Sequence, residues 1–272
     1  MKKRSLIIIL FLIIFSLVCS NNLVVKNLLH DEVCLAEKAQ KIPYLRNEMS
    51  ISSLKRFKDT VRRQAMIFPD DYFLEALDYD LEVALTFDDG PDAKYTEQIL
   101  DILKTYNIKA TFFLLGKNMQ EYPDVAKRIM KEGHSIGNHS YDHVDMRKLS
   151  KEAAFDSQIE RTQVIFEEQL CFRPVIFRPP YGAVKDEQIA YFAQQGLKII
   201  NWSIDTFDWD AKQNSPEQIN EKIARYFHEG AIILMHSGGG DRSKTVEALP
   251  GLIEFLRDKG YKFRTIPEML EL

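Results

Sequence analysis

The 272-residue sequence is sparing with the residues that make unusual architectures. Three cysteines are too few for a disulfide-built scaffold. Twelve glycines and ten prolines, beside 45% hydrophobic and 28% charged residues, exclude a collagen-like or disordered chain. A single long apolar run excludes a many-pass membrane protein. An excess of positive charge is also lacking. The formal net charge is −4, and without Lys2, Lys3 and Arg4 the chain holds 33 basic against 40 acidic residues, or −7, which argues against a nucleic-acid partner. Internal repeats and low-complexity tracts are absent. What remains is a globular chain long enough to bury a sizeable core.

The one apolar run, Leu6 to Cys19, follows Lys2-Lys3-Arg4 and ends in Ser20, Asn21 and Asn22. This order of positive, apolar and polar segments reads as an export signal over residues 1–20, with an uncleaved membrane anchor as the alternative. Val18 and Ser20 allow cleavage after Ser20, and Val18 stands where a lipoprotein attached through Cys19 would need a small residue. The expected location is extracytoplasmic, secreted or attached to the outer face of the cell membrane or wall, with membrane contact only through this segment. Signal removal would leave Cys34 and Cys171 as a candidate pair.

Residues 21–80 show no strand pattern and read as a spacer or docking segment. Within them Ser50–Met66 is an amphipathic helix, with Leu54, Phe57 and Val61 on one face and Lys55, Arg56, Lys58, Arg62 and Arg63 around it. The basic residues read as a solvated face. From Glu82 onward short β-rich runs alternate with helical ones. The strands predicted are Glu82–Phe87, Lys109–Leu115, His134–Gly137, Val175–Phe177, Lys198–Ser203, Ala231–His236 and Tyr261–Thr265. The predicted helices include Tyr95–Tyr106, Lys151–Gln169, Asp186–Gln195 and Pro216–His228, the last started by Ser215 as N-cap with Pro216 and Gln218 behind it. Such alternation means an α/β fold with about seven parallel strands, doubly wound or closed into a barrel.

Polar residues gather where these strands end, and in parallel α/β folds the C-terminal strand ends share one functional face. Asp88-Asp89 follows the first strand, and two adjacent carboxylates could divide cation binding from proton transfer. His139 and His143 have the i, i+4 spacing that puts two imidazoles on one face of a helical turn. The sequence lacks the glutamate that follows the first histidine in HExxH zinc proteases, so a base must come from elsewhere, and Asp88 is available. Asp89, His139 and His143 together make a two-histidine, one-carboxylate metal site, a set that Fe(II) oxygenases also use. His236, with Asp205 to orient it, fits a general acid, and Arg178 could hold Asp88 ionised. These additions favour hydrolysis over oxygenation. Gly238-Gly239-Gly240-Asp241-Arg242-Ser243-Lys244-Thr245 approximates a phosphate loop but lacks the glycine before the lysine, so no nucleotide is expected. His134, His30 and His228 read as structural, and Phe112, Phe113 and Leu114 as core.

Taken together, Thr86-Phe87-Asp88-Asp89-Gly90, His139-Ser140-Tyr141-Asp142-His143, Arg178-Pro179-Pro180-Tyr181-Gly182, Asp205-Thr206-Phe207-Asp208-Trp209 and Leu234-Met235-His236 resemble the five ordered motifs of the polysaccharide deacetylases, carbohydrate esterase family 4 or the NodB homology domain. The resemblance covers residues 81–272. It implies an irregular (β/α) barrel and a metal-dependent hydrolase that removes N-acetyl groups from amino-sugar polymers such as peptidoglycan or N-acetylglucosamine oligomers. It implies one divalent ion, Zn²⁺ before Co²⁺ or Mn²⁺, on Asp89, His139 and His143. Asp88 would be the base and His236 the acid, Arg178 would position Asp88, and Asp205 would orient His236. The Tyr181 N–H would serve an oxyanion hole, with Trp209 and Leu234 lining the acetyl pocket. An O-acetyl esterase acting on a polymer such as xylan, and a non-catalytic glycan-binding wall protein, are the alternatives.

Overall fold

The structure, a computed structural model, describes residues 52–77 and 81–272. The expected export signal, His30 and Cys34 lie outside the described residues; Cys171 is exposed and has no disulfide partner among the described residues.

Nine strands form one sheet: β1 (Tyr72–Phe73), β2 (Glu82–Gly90), β3 (Thr111–Leu114), β4 (Ser135–Asn138), β5 (Ile176–Phe177), β6 (Lys198–Ile200), β7 (Ile204–Asp205), β8 (Ala231–His236) and β9 (Lys262–Phe263). Their order is β1-β6-β5-β4-β3-β2-β8-β7, with β9 also on β2, and the paired strands run parallel. β7 ends this row while β6 lies next to the other end, yet only residues 201–203 join them. The four Cα steps from Ile200 to Ile204 span at most about 14 Å. The row therefore curls on itself into the irregular barrel, with helices outside.

The strand sequences explain this arrangement. Val83, Ala84, Leu85 and Phe87 of β2 are all fully buried, as are Ala231, Ile232 and Ile233 of β8. A strand covered on both faces needs a continuous apolar run rather than alternation. The helix Pro216–Tyr226 begins as its sequence predicts, with Ser215 accepting from the Gln218 N–H and Gln218 reaching back to the Ser215 N–H.

Two differences from the sequence-based expectation concern the count of strands. The strand expected at Lys198–Ser203 ends at Ile200 as β6, and a separate strand, β7, follows at Ile204–Asp205, because the chain changes neighbours between them. The other added strand, β1, falls in the segment that showed no strand pattern. It pairs Tyr72 with Ile199 and Phe73 with Ile200, a backbone interaction too short for periodicity to reveal.

Within residues 52–77, Tyr72 and Phe73 join the sheet and the preceding helix packs against the barrel. The helix Ser52–Ile67 buries Val61 and Ala65. The Gln64 amide donates to the Val184 carbonyl at 2.8 Å, and Arg63 makes two hydrogen bonds to Asp186 at 2.6 and 2.8 Å. Farther on, Ala76 N–H donates to the Gly230 carbonyl at 2.9 Å. A Cβ at Gly230 would lie 2.1 Å from the Ala76 oxygen, so only glycine permits this approach. His228, which showed no companion in sequence, pairs with buried Glu75 at 2.7 Å.

Candidate active site

The C-terminal end of β2 delivers both aspartates. Regular alternation would send neighbours to opposite faces. Here the register of β2 against β3 shifts between Asp88 and Gly90, and Asp89 takes a left-handed conformation with φ of 67°. Both carboxylates thereby reach one cavity. The glycine tract after β8 makes room for this kink. A Cβ at Gly238 would stand 2.3 Å from the Asp89 carbonyl oxygen, and one at Gly239 would stand 2.6 Å from Asp89 Oδ2. The apparent phosphate-loop fragment is thus a close-packing surface for Asp89.

His139 and His143 follow β4, but not on a helical turn as their spacing suggested. The segment is an irregular loop in which Ser140 and His143 have positive φ. Side chains hold its shape. Asn138 Oδ1 accepts from Ser140 N–H at 2.8 Å, Ser140 Oγ from His143 N–H at 3.1 Å, and Gln158 Oε1 from Tyr141 N–H at 3.1 Å. Gln158 lies in a π-helical segment, Phe155–Glu160, that interrupts the expected continuous helix between Lys151–Ala154 and Arg161–Leu170. The local change of helical pitch places a residue against the functional loop, a common use of such segments.

Asp89, His139 and His143 fit a metal ion. Asp89 Oδ1 is buried without a hydrogen-bond partner, and it lies 3.5 Å from His139 Nε2 and 3.4 Å from His143 Nε2. Tetrahedral Zn–N and Zn–O bonds of about 2.0–2.1 Å give donor separations of about 3.3–3.4 Å. The imidazoles are also in the right state. His139 Nδ1 lies 2.7 Å from the Arg178 carbonyl oxygen, which assigns the proton to Nδ1 and leaves the Nε2 lone pair toward Asp89. Burial, then the neighbouring His139, lower the pKa of His143, keeping it neutral at pH 7.

Asp88 stands beside this cluster and is buried. Its Oδ1 accepts from Arg178 Nη1 at 2.8 Å, and its Oδ2 is 3.7 Å from His139 Nε2. Arg178 is wholly buried under the site. Its Nη1 also donates to Thr86 Oγ1 at 2.8 Å, its Nε to the Ile200 carbonyl and its Nη2 to the Asn201 carbonyl, both at 3.0 Å. The guanidinium is stacked 4.1 Å from the Phe113 ring centroid. It is thus a buried support hydrogen-bonded to Asp88.

The partner of His236 differs from the expectation. His236 Nδ1 meets Asp208 Oδ1 at 2.7 Å, and its backbone N–H donates to Asp208 Oδ2 at 2.8 Å. Asp205 instead accepts from Phe207 N–H at 2.8 Å and from Trp209 Nε1 at 3.2 Å, so it positions the Trp209 ring. The left-handed Phe207, with φ of 54°, turns the chain so that the later carboxylate reaches the imidazole. Burial lowers the His236 pKa, but the charge and hydrogen bond of Asp208, helped by Asp89 and Asp88, outweigh it and raise the value to about 9. Burial also raises Asp205, to about 6, while Asp208 is held below the ordinary range because His236, Thr245 and Arg242 outweigh its burial.

These groups surround one cavity of about 430 Å³. Asp88, Asp89, His139, His143, Tyr181, Asp205, Trp209, Leu234 and His236, all singled out from the sequence, line it; Arg178 lies behind Asp88. Phe57, Trp202 and Arg242 line it without having been anticipated, and Asp208 supports it from beneath. Tyr181 is 60% exposed, has a positive φ of 60° and packs edge-on to the His143 ring, with centroids 4.6 Å apart.

Comparison with known proteins agrees with this geometry. Residues 80–200 match the family described as polysaccharide deacetylase. The chain is 42% identical over 191 residues to a peptidoglycan-N-acetylglucosamine deacetylase of Bacillus cereus, covering 70% of this chain and 68% of that protein. It is 38% identical to the peptidoglycan-N-acetylmuramic acid deacetylase PdaC of Bacillus subtilis, covering 70% of this chain and 39% of the relative. The crystal structure of the Bc1960 peptidoglycan N-acetylglucosamine deacetylase superposes with a TM-score of 0.69 at 40% identity, covering 72% of this chain and 91% of that one. The chain belongs to the polysaccharide deacetylases, hydrolases of carbohydrate esterase family 4.

Proposed function

We propose that the protein is an extracytoplasmic, metal-dependent deacetylase that removes N-acetyl groups from the amino sugars of peptidoglycan. The observation that carries this reading is the convergence of the Asp89–His139–His143 cluster, Asp88 and the His236–Asp208 pair on one cavity. The names of the relatives support the substrate class, and the apolar run at the N-terminus supports the location.

Asp89, His139 and His143 would hold the ion, and their oxygen and imidazole donors suit Zn²⁺, with Co²⁺ or Mn²⁺ as alternatives. A divalent ion held there would supply Lewis-acid polarisation of an amide carbonyl and would lower the pKa of a bound water. Asp88, aimed by Arg178, accepts the proton of the attacking water. The Tyr181 N–H donates to the carbonyl oxygen as negative charge develops, a contact whose loss typically costs about 3 kcal/mol. Trp209 and Leu234 flank the acetyl methyl group.

His236 completes the reaction. An amine cannot leave as an anion, so the nitrogen must gain a proton before the C–N bond breaks, and an imidazolium supported by Asp208 can supply it. An ester places less demand on that acid, which favours N-deacetylation over O-deacetylation on a polymer such as xylan.

Mass spectrometry of peptidoglycan fragments, N-acetylglucosamine oligomers and acetylated xylan, before and after treatment with Zn²⁺-loaded protein, tests the reading. The expected result is loss of acetyl from amino sugars, stopped by chelation and nearly abolished by Asp88→Asn or His236→Ala. Acetate release that survives complete metal removal would overturn the mechanism.

A further inference from the structure

We propose that Phe57 forms, with Trp202, the end wall of the acyl pocket and so restricts the group removed to acetyl. The inference rests on the deacetylase reading but concerns a helix that lies before the matched family segment.

Phe57 and Trp202 line the cavity that holds the metal-ligand cluster, with ring centroids 5.9 Å apart and planes inclined by 32°. Phe57 packs on the apolar cluster that contains both Trp202 and Leu234. The rings also sit directly against the Tyr181–Gly182 backbone. A Cβ at Gly182 would meet Trp202 Cη2 at 2.7 Å and Phe57 Cζ at 2.9 Å, and φ there is +62°. Glycine is therefore required for two reasons, and it brings the rings next to the proposed oxyanion donor.

The wall is rigid. Phe57 stands on a helix clamped by Val61, Ala65, Gln64 and the Arg63–Asp186 ion pair, and a side chain fixed on an anchored helix can act as a stop. Specificity in such a pocket is a matter of volume, where one methylene changes discrimination by about tenfold or more.

The test compares kcat/KM for N-acetyl, N-propionyl and N-butyryl glucosamine oligomers in the Zn²⁺-loaded full chain and its Phe57→Ala and Phe57→Leu variants. The expected result is a steep fall from acetyl to propionyl in the parent protein. Phe57→Ala should raise the propionyl-to-acetyl ratio about tenfold or more, with Phe57→Leu between. A ratio within about twofold of the parent in a folded variant, or equal weakening for every acyl group, would overturn the proposal. Phe57→Leu decides by the same ratio if Phe57→Ala fails to fold.

A binding measurement separates this failure from failure of the proposed function. The chain has two tryptophans, Trp202 and Trp209, and both line the cavity, so their fluorescence reports occupancy without turnover. The same oligomers are titrated into Asp88→Asn with and without Phe57→Ala. If the parent protein releases no acetate, the deacetylase reading fails. Tighter relative binding of the longer acyl groups after Phe57→Ala still supports the wall, and an unchanged order of affinities refutes it.

Discussion

Asp208→Asn is the substitution that most directly tests how the site makes an acid. In the protein, Asp208 contacts His236 twice, through Nδ1 at 2.7 Å and through the backbone N–H at 2.8 Å, and also accepts from Thr245 Oγ1 at 2.8 Å. An asparagine of the same shape removes the charge and places a donor where one carboxylate oxygen stood. The imidazolium loses its main support while its burial is unchanged, so its pKa falls from about 9 to the ordinary 6.5 or below. That change corresponds to about 3 kcal/mol. At pH 8 an imidazole of pKa about 9 is about 90% protonated, and one of pKa 6.5 about 3%. Deacetylation at pH 8 should therefore fall about thirtyfold and recover as the pH is lowered toward 6. The assay is the pH profile of kcat/KM, in which activity is lost as pH rises through the His236 value. A cation at Asp89 adds positive charge nearby and lowers this limb in both proteins, so the displacement between them carries the test. Asp205→Asn is the control and should move the limb far less, because Asp205 holds Trp209 and the Phe207 N–H. An alkaline limb that stays in place in Asp208→Asn, or that moves more in Asp205→Asn, would refute the assignment.

Added Zn²⁺ at about 1,000 times its Kd should stabilise the fold by about 4 kcal/mol, raising Tm by about 8–16 °C, and His143→Ala should remove most of that rise in a thermal melt. Arg178→Ala should destabilise the protein by about 3–5 kcal/mol in urea titration, since it strands buried Asp88 and two carbonyl oxygens; a loss under about 1 kcal/mol would contradict the role given to Arg178. His134, chiefly through burial, has its pKa pushed down to about 4, and its Nδ1 accepts from the Ala110 N–H at 3.2 Å. The unfolded chain then binds this proton more readily, so stability falls as pH drops from 6.5 to about 4, by about 3 kcal/mol in total. His134→Gln should flatten that part of the stability profile, and an unchanged slope would count against the assignment.

The sequence made the site more legible than its surroundings. The strands that lead to Asp88, His139, Arg178 and His236 could be read from the sequence pattern, because apolar runs stop where the polar residues begin. The choice between Asp205 and Asp208 could not. Both belong to one motif, and which one meets His236 depends on a left-handed Phe207 that no propensity requires. The i, i+4 spacing of His139 and His143 suggested a helical turn for the same reason. Spacing reports separation along the chain, whereas the loop is fixed by contacts with Asn138 and with Gln158 on a distant helix. Of the residues before Glu82, the apolar stripe of the helix was evident and its destination was not, since Phe57 and Trp202 are brought together only by the fold.

The two-residue strand β1 covers the outer edge of β6, where Asn201 N–H donates to the Phe73 carbonyl and the Asn201 amide to the Tyr72 hydroxyl. The inner face of that same stretch offers the Ile200 and Asn201 carbonyls to Arg178. The carboxylate of Asp88, the proposed base, is therefore sighted along a line that begins outside the family segment. Loosening β1 should first blur the aim of the base and slow turnover, well before the barrel melts, so that activity becomes the more sensitive gauge of how firmly the N-terminal strand is seated.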